Sequence, residues 1–142
     1  ATAIFRMINP IEHSKTKDTA IKYKVEPYVI AADIYGRGNL AGRGGWTWYT
    51  GSSSWFYKAG IEYILGLKIR EGYLSIKPAV PNYWKEYSIQ YKYGNSIYNI
   101  FVERKENKNN RDIEMYLNEK KVEEGKIKLL NTGGVYNVKV II

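Results

Sequence analysis

The chain has no cysteine and a single histidine, His13, among its 142 residues. Without thiols, disulfides and thiolate metal sites are excluded, which fits a reducing compartment and a cytoplasmic location. One imidazole leaves no room for a His-rich metal centre or a His-based triad within this chain. No apolar run approaches the ~20 residues needed to span a bilayer. No signal peptide is visible: the opening Ala-Thr-Ala-Ile-Phe-Arg-Met-Ile-Asn-Pro reads as the end of an amphipathic helix. A chain that opens in mid-helix looks cut from something larger. Internal repeats and low-complexity segments are also missing. So is any basic run interleaved with stacking aromatics. The net charge is +8, which attracts phosphates in general, but the positive residues are scattered. Residues 1–67 carry eight Lys/Arg against five Asp/Glu, and residues 68–142 carry fourteen against nine. A solvated lysine-rich surface, and no nucleic-acid partner, is the expectation.

Hydrophobic residues make up 44% of the chain and charged residues 25%, enough for a packed core. Aromatic residues are abundant: fourteen Tyr, four Trp and three Phe. Rings with polar tips suit sugar faces, and they also fill the cores of β-sandwiches.

The patterning divides the chain in two. Residues 1–67 read as helical. Pro10 ends a first segment, and Lys15 to Lys24 fits a short polar helix or a loop. Glu26-Pro27 opens a helix through Tyr28, Val29, Ile30, Ala31, Ile34 and Tyr35, with Gly36 as its stop. The five glycines at 36, 38, 42, 44 and 45 mark a loop. A further helix runs from Thr50 to about Gly66, with Phe56, Gly60, Tyr63 and Leu67 on one stripe. Trp55, Ala59 and Ile61 widen that stripe, so the helix is expected to be buried on most sides. Beyond Leu67 the period becomes two. Leu74 and Ile76 alternate before Pro78. Tyr87 to Tyr93 alternate up to the Gly94-Asn95 hairpin signal, and Tyr98, Ile100 and Val102 alternate after it. Lys105 to Arg111 is a polar loop. Ile113, Met115 and Leu117 alternate before a turn at Asn118-Glu119. Ile127 and Leu129 follow Gly125, and Val135 to Val140 follow Thr132-Gly133-Gly134. These are antiparallel strands of a sandwich or jelly roll.

The stretch that carries chemistry is Arg43-Gly44-Gly45-Trp46-Thr47-Trp48-Tyr49-Thr50-Gly51-Ser52. Thr50 suits an N-cap, and the first N–H groups of a helix have no partner within it. An anion fits there, and Gly51 lets it approach the backbone. Arg43, Trp46 and Trp48 on the preceding loop would wall such a site. The plainer reading is that Thr50 only caps its helix. Both readings stand at this point.

Asn9-Pro-Ile-Glu-His-Ser-Lys-Thr, Tyr23-Lys-Val-Glu-Pro-Tyr-Val-Ile-Ala-Ala-Asp, Gly42-Arg-Gly-Gly-Trp-Thr-Trp-Tyr-Thr-Gly-Ser and Ile64-Leu-Gly-Leu together resemble the end of the cellobiose phosphorylase family (glycoside hydrolase family 94). So do Leu74-Ser-Ile-Lys-Pro-Ala-Val-Pro-Asn-Tyr-Trp and Ile97-Tyr-Asn-Ile-Phe-Val-Glu. The wording is similar to β-1,2-oligoglucan phosphorylases and to the phosphorylase-like tail of cyclic β-1,2-glucan synthases. From Asn9 to about Glu103 the resemblance is specific. Beyond that it rests on strand pattern.

The resemblance implies an α+β chain. Residues 1–67 would be the terminal helices of an (α/α)6 barrel, and 68–142 an antiparallel, jelly-roll-like β-sandwich. It implies inverting phosphorolysis of a β-glucan, with inorganic phosphate as co-substrate and no other cofactor or metal. In such an enzyme phosphate replaces the activated water, so one catalytic carboxyl group suffices. The family's phosphate-binding Thr-Gly pair falls on Thr50 and Gly51. Its other phosphate ligands, arginines and a histidine, and its catalytic aspartate are expected upstream of Ala1, so this chain carries no catalytic residue. His13 is not that histidine and reads as a loop residue with local hydrogen bonds. A sugar-contacting glutamine of cellobiose- and chitobiose-type members falls on Ala32, so that contact is missing. Asp33 beside it either serves instead or caps a local network. Expected partners are a β-linked glucan, the remainder of the parent enzyme and a second copy of the chain. Self-association follows because Val29, Ile30, Ile61 and Ile64 would lack the barrel's other helices. The alternative is a carbohydrate-binding module without catalysis, with Trp46, Trp48 and the tyrosines as platforms.

Overall fold

The computed structural model describes residues 2–48, 50–106 and 113–142. Most of the polar stretch expected at Lys105–Arg111 therefore lies outside the described residues, as does the side chain of Thr50. Helices and two sheets make it a mixed α+β chain. It divides into two compact units, Ala1–Gly60 and Ile61–Ile142.

In the first unit three short helices follow one another: α1 (Thr2–Ile8), α2 (Pro10–His13) and α3 (Lys17–Tyr23). Asn9 caps α2 by accepting the Ile11 N–H at 3.1 Å, and Pro10 takes the first helical position, where a missing N–H costs nothing. Thr16 and Thr19 cap α3 reciprocally. Lys24 closes α3 in the left-handed region, with φ 55°. His13 ends α2 rather than sitting in a loop. Its hydrogen bond is local, between Nε2 and the Met7 carbonyl at 2.6 Å, and its ring stacks on Tyr23.

The helix expected from Glu26-Pro27 to Gly36 does not form. Residues 27–29 make a turn, and Ile34 pairs with Gly44 in an isolated bridge. The N–H groups of Ala32 and Tyr35 donate to the carbonyls of Trp46 and Arg43, at 2.7 and 2.9 Å. These partners, further along the same chain, replace the i−4 carbonyls a helix would have used.

α4 spans Thr50–Lys58, and the chain continues in a π-helical stretch, Ala59–Ile64. The expectation of burial on most sides fails. Phe56 stacks on Phe5 with centroids 3.9 Å apart, whereas Trp55 and Tyr57 are 70% and 71% exposed. Residues adjacent in a helix lie about 100° apart, so turning Phe56 inward turns its neighbours out. Tyr63 is exposed and Leu67 belongs to a strand, so the expected stripe does not exist as one face. The apolar faces expected to stay uncovered also read differently. Val29 and Ile64 are buried and Ile30 and Ile61 partly so, while Ile4, Met7 and Ile11 are exposed instead.

The second unit carries β1 (Leu67–Arg70), β2 (Tyr73–Ile76), β3 (Glu86–Tyr93), β4 (Ser96–Glu103), β5 (Glu114–Leu117), β6 (Lys120–Lys121), β7 (Ile127–Lys128) and β8 (Val135–Ile141). One sheet has the order β1-β2-β7, the other β3-β4-β8-β5-β6. Two-residue turns join β1 to β2 at Glu71-Gly72, β3 to β4 at Gly94-Asn95, and β5 to β6 at Asn118-Glu119. Each holds positive φ, as tight hairpins require. The β4·β8 pair is parallel, which corrects the expectation of purely antiparallel strands. The long connection from β4 through β5, β6 and β7 gives the chain room to return in the same direction.

Alternate residues of β4, Ser96, Tyr98, Ile100 and Val102, are buried together with Leu74, Ile76, Met115, Ile127, Val138 and Val140. Each such aliphatic side chain stabilises the fold by about 1.5–3 kcal/mol. Two buried hydroxyl groups of β4 are paired. The Tyr98 hydroxyl accepts the Leu130 N–H at 2.7 Å, and Ser96 Oγ accepts the N–H groups of Thr132 and Gly133.

Candidate functional site

Residues 32–35 and 42–46 form a short irregular hairpin around a 3-10 turn at Gly38–Leu40. Its base is pinned at Gly44, whose N–H donates to the Tyr23 carbonyl at 2.8 Å. A Cβ at Gly44 would overlap Val25 and press on the Tyr23 ring, so glycine permits the close approach. Tyr23 itself is buried. Burial raises its phenol pKa, and the Ala31 backbone opposes that shift.

The hairpin sets the positions of four residues singled out by the sequence. The carboxylate of Asp33 accepts the backbone N–H of Trp46 at 3.2 Å, and its carbonyl accepts the N–H of Gly45 at 2.9 Å. Asp33 thus braces the strand that carries Trp46. Arg43 sits on the same strand and is exposed. Trp46 and Trp48 are 70% and 66% exposed. Trp48 adopts φ 64°, which a tryptophan takes only when its surroundings hold it there. Glu26 supplies one hold, accepting the indole N–H at 3.4 Å, and Tyr28 supplies another with an edge contact at 6.3 Å. Glu26 and Tyr28 were not singled out from the sequence. Read as the start of a helix, Glu26-Pro27-Tyr28 gave no sign of supporting a tryptophan twenty residues on.

Two residues after Trp48 the chain enters α4, with Thr50 as its first helical residue and Gly51 as its second. Their N–H groups are among the four that an α-helix leaves without an internal partner. Gly51 is exposed, and a Cβ built there would meet open space. The local sequence therefore delivers two exposed indoles and the positive end of a helix dipole within six residues of chain.

Residues 1–66 match the model of the glycosyl hydrolase 94 superfamily, catalytic domain. This chain belongs to that superfamily. It is 52% identical over 100 residues to the cyclic beta-(1,2)-glucan synthase NdvB of Rhizobium meliloti (strain 1021). That match takes up 70% of the chain and 4% of the synthase. It is 32% identical over 104 residues to an N,N'-diacetylchitobiose phosphorylase of Vibrio proteolyticus, covering 72% of the chain and 13% of the relative. A solabiose phosphorylase of Paenibacillus borealis is 29% identical over 98 residues, covering 68% and 12%. The chain thus spans a small part of the length of each of these relatives. Among the described residues no helix is long and apolar enough to cross a membrane.

Proposed function

We propose that this chain is part of an inverting β-glucan phosphorylase-like glycosyltransferase and contributes one wall of its phosphate site. The observation that carries the reading is the passage from Trp46 and Trp48 into the α4 N-terminus at Thr50-Gly51, within a glycosyl hydrolase 94 segment. In this reading a phosphate oxygen bonds to the anomeric carbon as the glycosidic bond breaks. A general acid elsewhere in the parent enzyme protonates the leaving oxygen, and the product is α-glucose 1-phosphate. The Thr50 hydroxyl and the N–H groups opening α4 hold the phosphate, and Trp46 and Trp48 face the sugar, with Arg43 beside them. Residues 1–67 are then the last helices of an (α/α)6 barrel, and 68–142 a β-sandwich of structural role. The relatives named as phosphorylases and a glucan synthase support this reaction class. The exposure of Trp46, Trp48, Trp55 and Tyr57 equally favours sugar binding without catalysis as the second reading.

Thr50→Val in the whole enzyme separates an anion site from a mere helix start. Losing one hydrogen bond to a charged ligand costs about 1.5–3 kcal/mol, so the Michaelis constant for phosphate is expected to rise roughly ten- to a hundredfold. The glucan constant moves much less. A lowered melting temperature with an unaltered phosphate constant leaves the site without support.

A further inference from the structure

On the outer face of the five-stranded sheet, three amide side chains stand in one row across adjacent strands. Gln90 of β3 is in register with Asn99 of β4, and Asn99 with Asn137 of β8. Gln90 Nε2 donates to Asn99 Oδ1 at 3.1 Å, and Asn99 Nδ2 donates to Asn137 Oδ1 at 3.5 Å. Gln90 and Asn137 are exposed and Asn99 is half-buried. An amide offers two N–H donors and an oxygen with two lone pairs. The ladder uses only a fraction of that capacity, and the rest faces outward in a fixed order because the neighbours hold each amide in place. The row is three strands wide, about 10 Å, the scale of an oligosaccharide rather than of an ion.

The next row along the sheet is of another kind. Phe101, Lys139 and Tyr116 are in register there, which sets two half-buried rings beside the amides. The two rows line a groove of about 850 Å³. Although the chain carries a net charge of +8, the groove does not share it. Its described lining includes one lysine, Lys139, and one carboxylate, Glu119. Lys139 is itself bridged to Glu103 at 3.0 Å. A polyanion gains little in such a groove. A neutral ligand with many hydroxyl groups, each both donor and acceptor, and with apolar C–H faces matches both rows.

We propose that the outer face of the five-stranded sheet, with Gln90, Asn99 and Asn137 as its hydrogen-bonding row and Phe101 and Tyr116 as its apolar floor, binds a neutral glucan chain. The site shares no residue with the start of α4. It requires neither phosphate nor turnover, so it stands or falls apart from the phosphorylase reading.

Nitrogen-15 NMR of the protein tests it directly, since Asn and Gln side-chain NH2 groups give their own resonances. Titration with soluble linear β-1,2-glucan, without phosphate, is expected to shift those of Gln90, Asn99 and Asn137. Asn99→Val suits a half-buried strand position and removes the central amide; it is expected to weaken binding about tenfold. A Trp46→Ala/Trp48→Ala double variant is expected to leave the same three resonances responding as before. The proposal is overturned if the glucan moves none of the three amides, or if their response disappears in the double tryptophan variant. It is equally overturned if they shift with protein concentration alone and then ignore the glucan, because a second copy of the chain would then be the occupant.

Discussion

The carboxylate of Asp33 holds the backbone N–H of Trp46 at 3.2 Å, thirteen residues along the chain. A Cβ at Gly45 would overlap that carboxylate, so the bond exists only because glycine precedes the tryptophan. An exposed hydrogen bond to a charged group contributes about 1 kcal/mol. Asp33→Ala is expected to lower stability by that amount and to alter tryptophan emission as Trp46 loses its anchor. Asp33→Asn keeps an acceptor and is expected to do less of both. Should Asp33→Asn abolish sugar affinity while the melting temperature stays put, Asp33 contacts the sugar itself and bracing is secondary.

The strands were legible where a period of two met a turn signal. Tyr98, Ile100 and Val102 alternate beyond Gly94-Asn95, and the structure buries all three. β1 is not legible in the sequence, because its four residues, Leu67-Lys-Ile-Arg, follow directly on an apolar helix end. Alternation also carries no direction, so nothing in Val135–Ile141 revealed that β8 runs parallel to β4. At the site, Trp46, Trp48, Thr50 and Gly51 stood out by type and spacing. The supports, Glu26 under Trp48 and Tyr23 under Gly44, depend on a hairpin whose partners are distant in sequence. The unbroken apolar run from Tyr28 to Ala32 fits a buried helix as well as an irregular turn, and only tertiary hydrogen bonds decide between them.

Gly66 adopts φ 79°, and a Cβ there would overlap the Lys77 carbonyl and the Pro78 nitrogen. The same glycine accepts the Lys77 N–H at 2.9 Å. Backbone cannot yield as a flexible side chain does. Left-handed strain of about 1–2 kcal/mol and an overpacking cost of about 1–3 kcal/mol therefore act together in Gly66→Ala. A stability loss of about 3 kcal/mol or more is expected in urea unfolding. Gly72→Ala shares the positive φ but meets open space, and is expected to cost about 1–2 kcal/mol.

Tyr87 donates its hydroxyl to the Leu65 carbonyl at 2.7 Å, and burial raises its pKa well above the usual phenol range, with Arg104 opposing. The folded state therefore keeps this proton at a pH where the unfolded chain, with a phenol pKa of about 10, gives it up. The contribution is complete below that pH and is lost as pH rises above it. The urea midpoint is expected to fall between about pH 9 and 11, more steeply in the wild type than in Tyr87→Phe. At neutral pH the variant is expected to be about 1 kcal/mol less stable, since the Leu65 carbonyl loses its donor. Parallel pH dependences in the two proteins would remove Tyr87 from the account.

Gly51 offers the sharpest separation of structure from function. It is the second residue of α4, exposed, and a Cβ there touches nothing in the free protein. Alanine is a better helix former than glycine by up to about 1 kcal/mol, so Gly51→Ala is expected to leave the melting temperature unchanged or to raise it. If phosphate lies against this first turn in the whole enzyme, the same methyl group occupies the space the anion needs. The expected result is then a raised Michaelis constant for phosphate, about tenfold or more, in a protein at least as stable as the wild type. A glycine kept only for backbone freedom cannot produce that combination, because its replacement would cost stability first. Thermal unfolding and phosphate kinetics on one preparation decide the matter. A stable variant with wild-type phosphate kinetics would take the anion away from the start of α4.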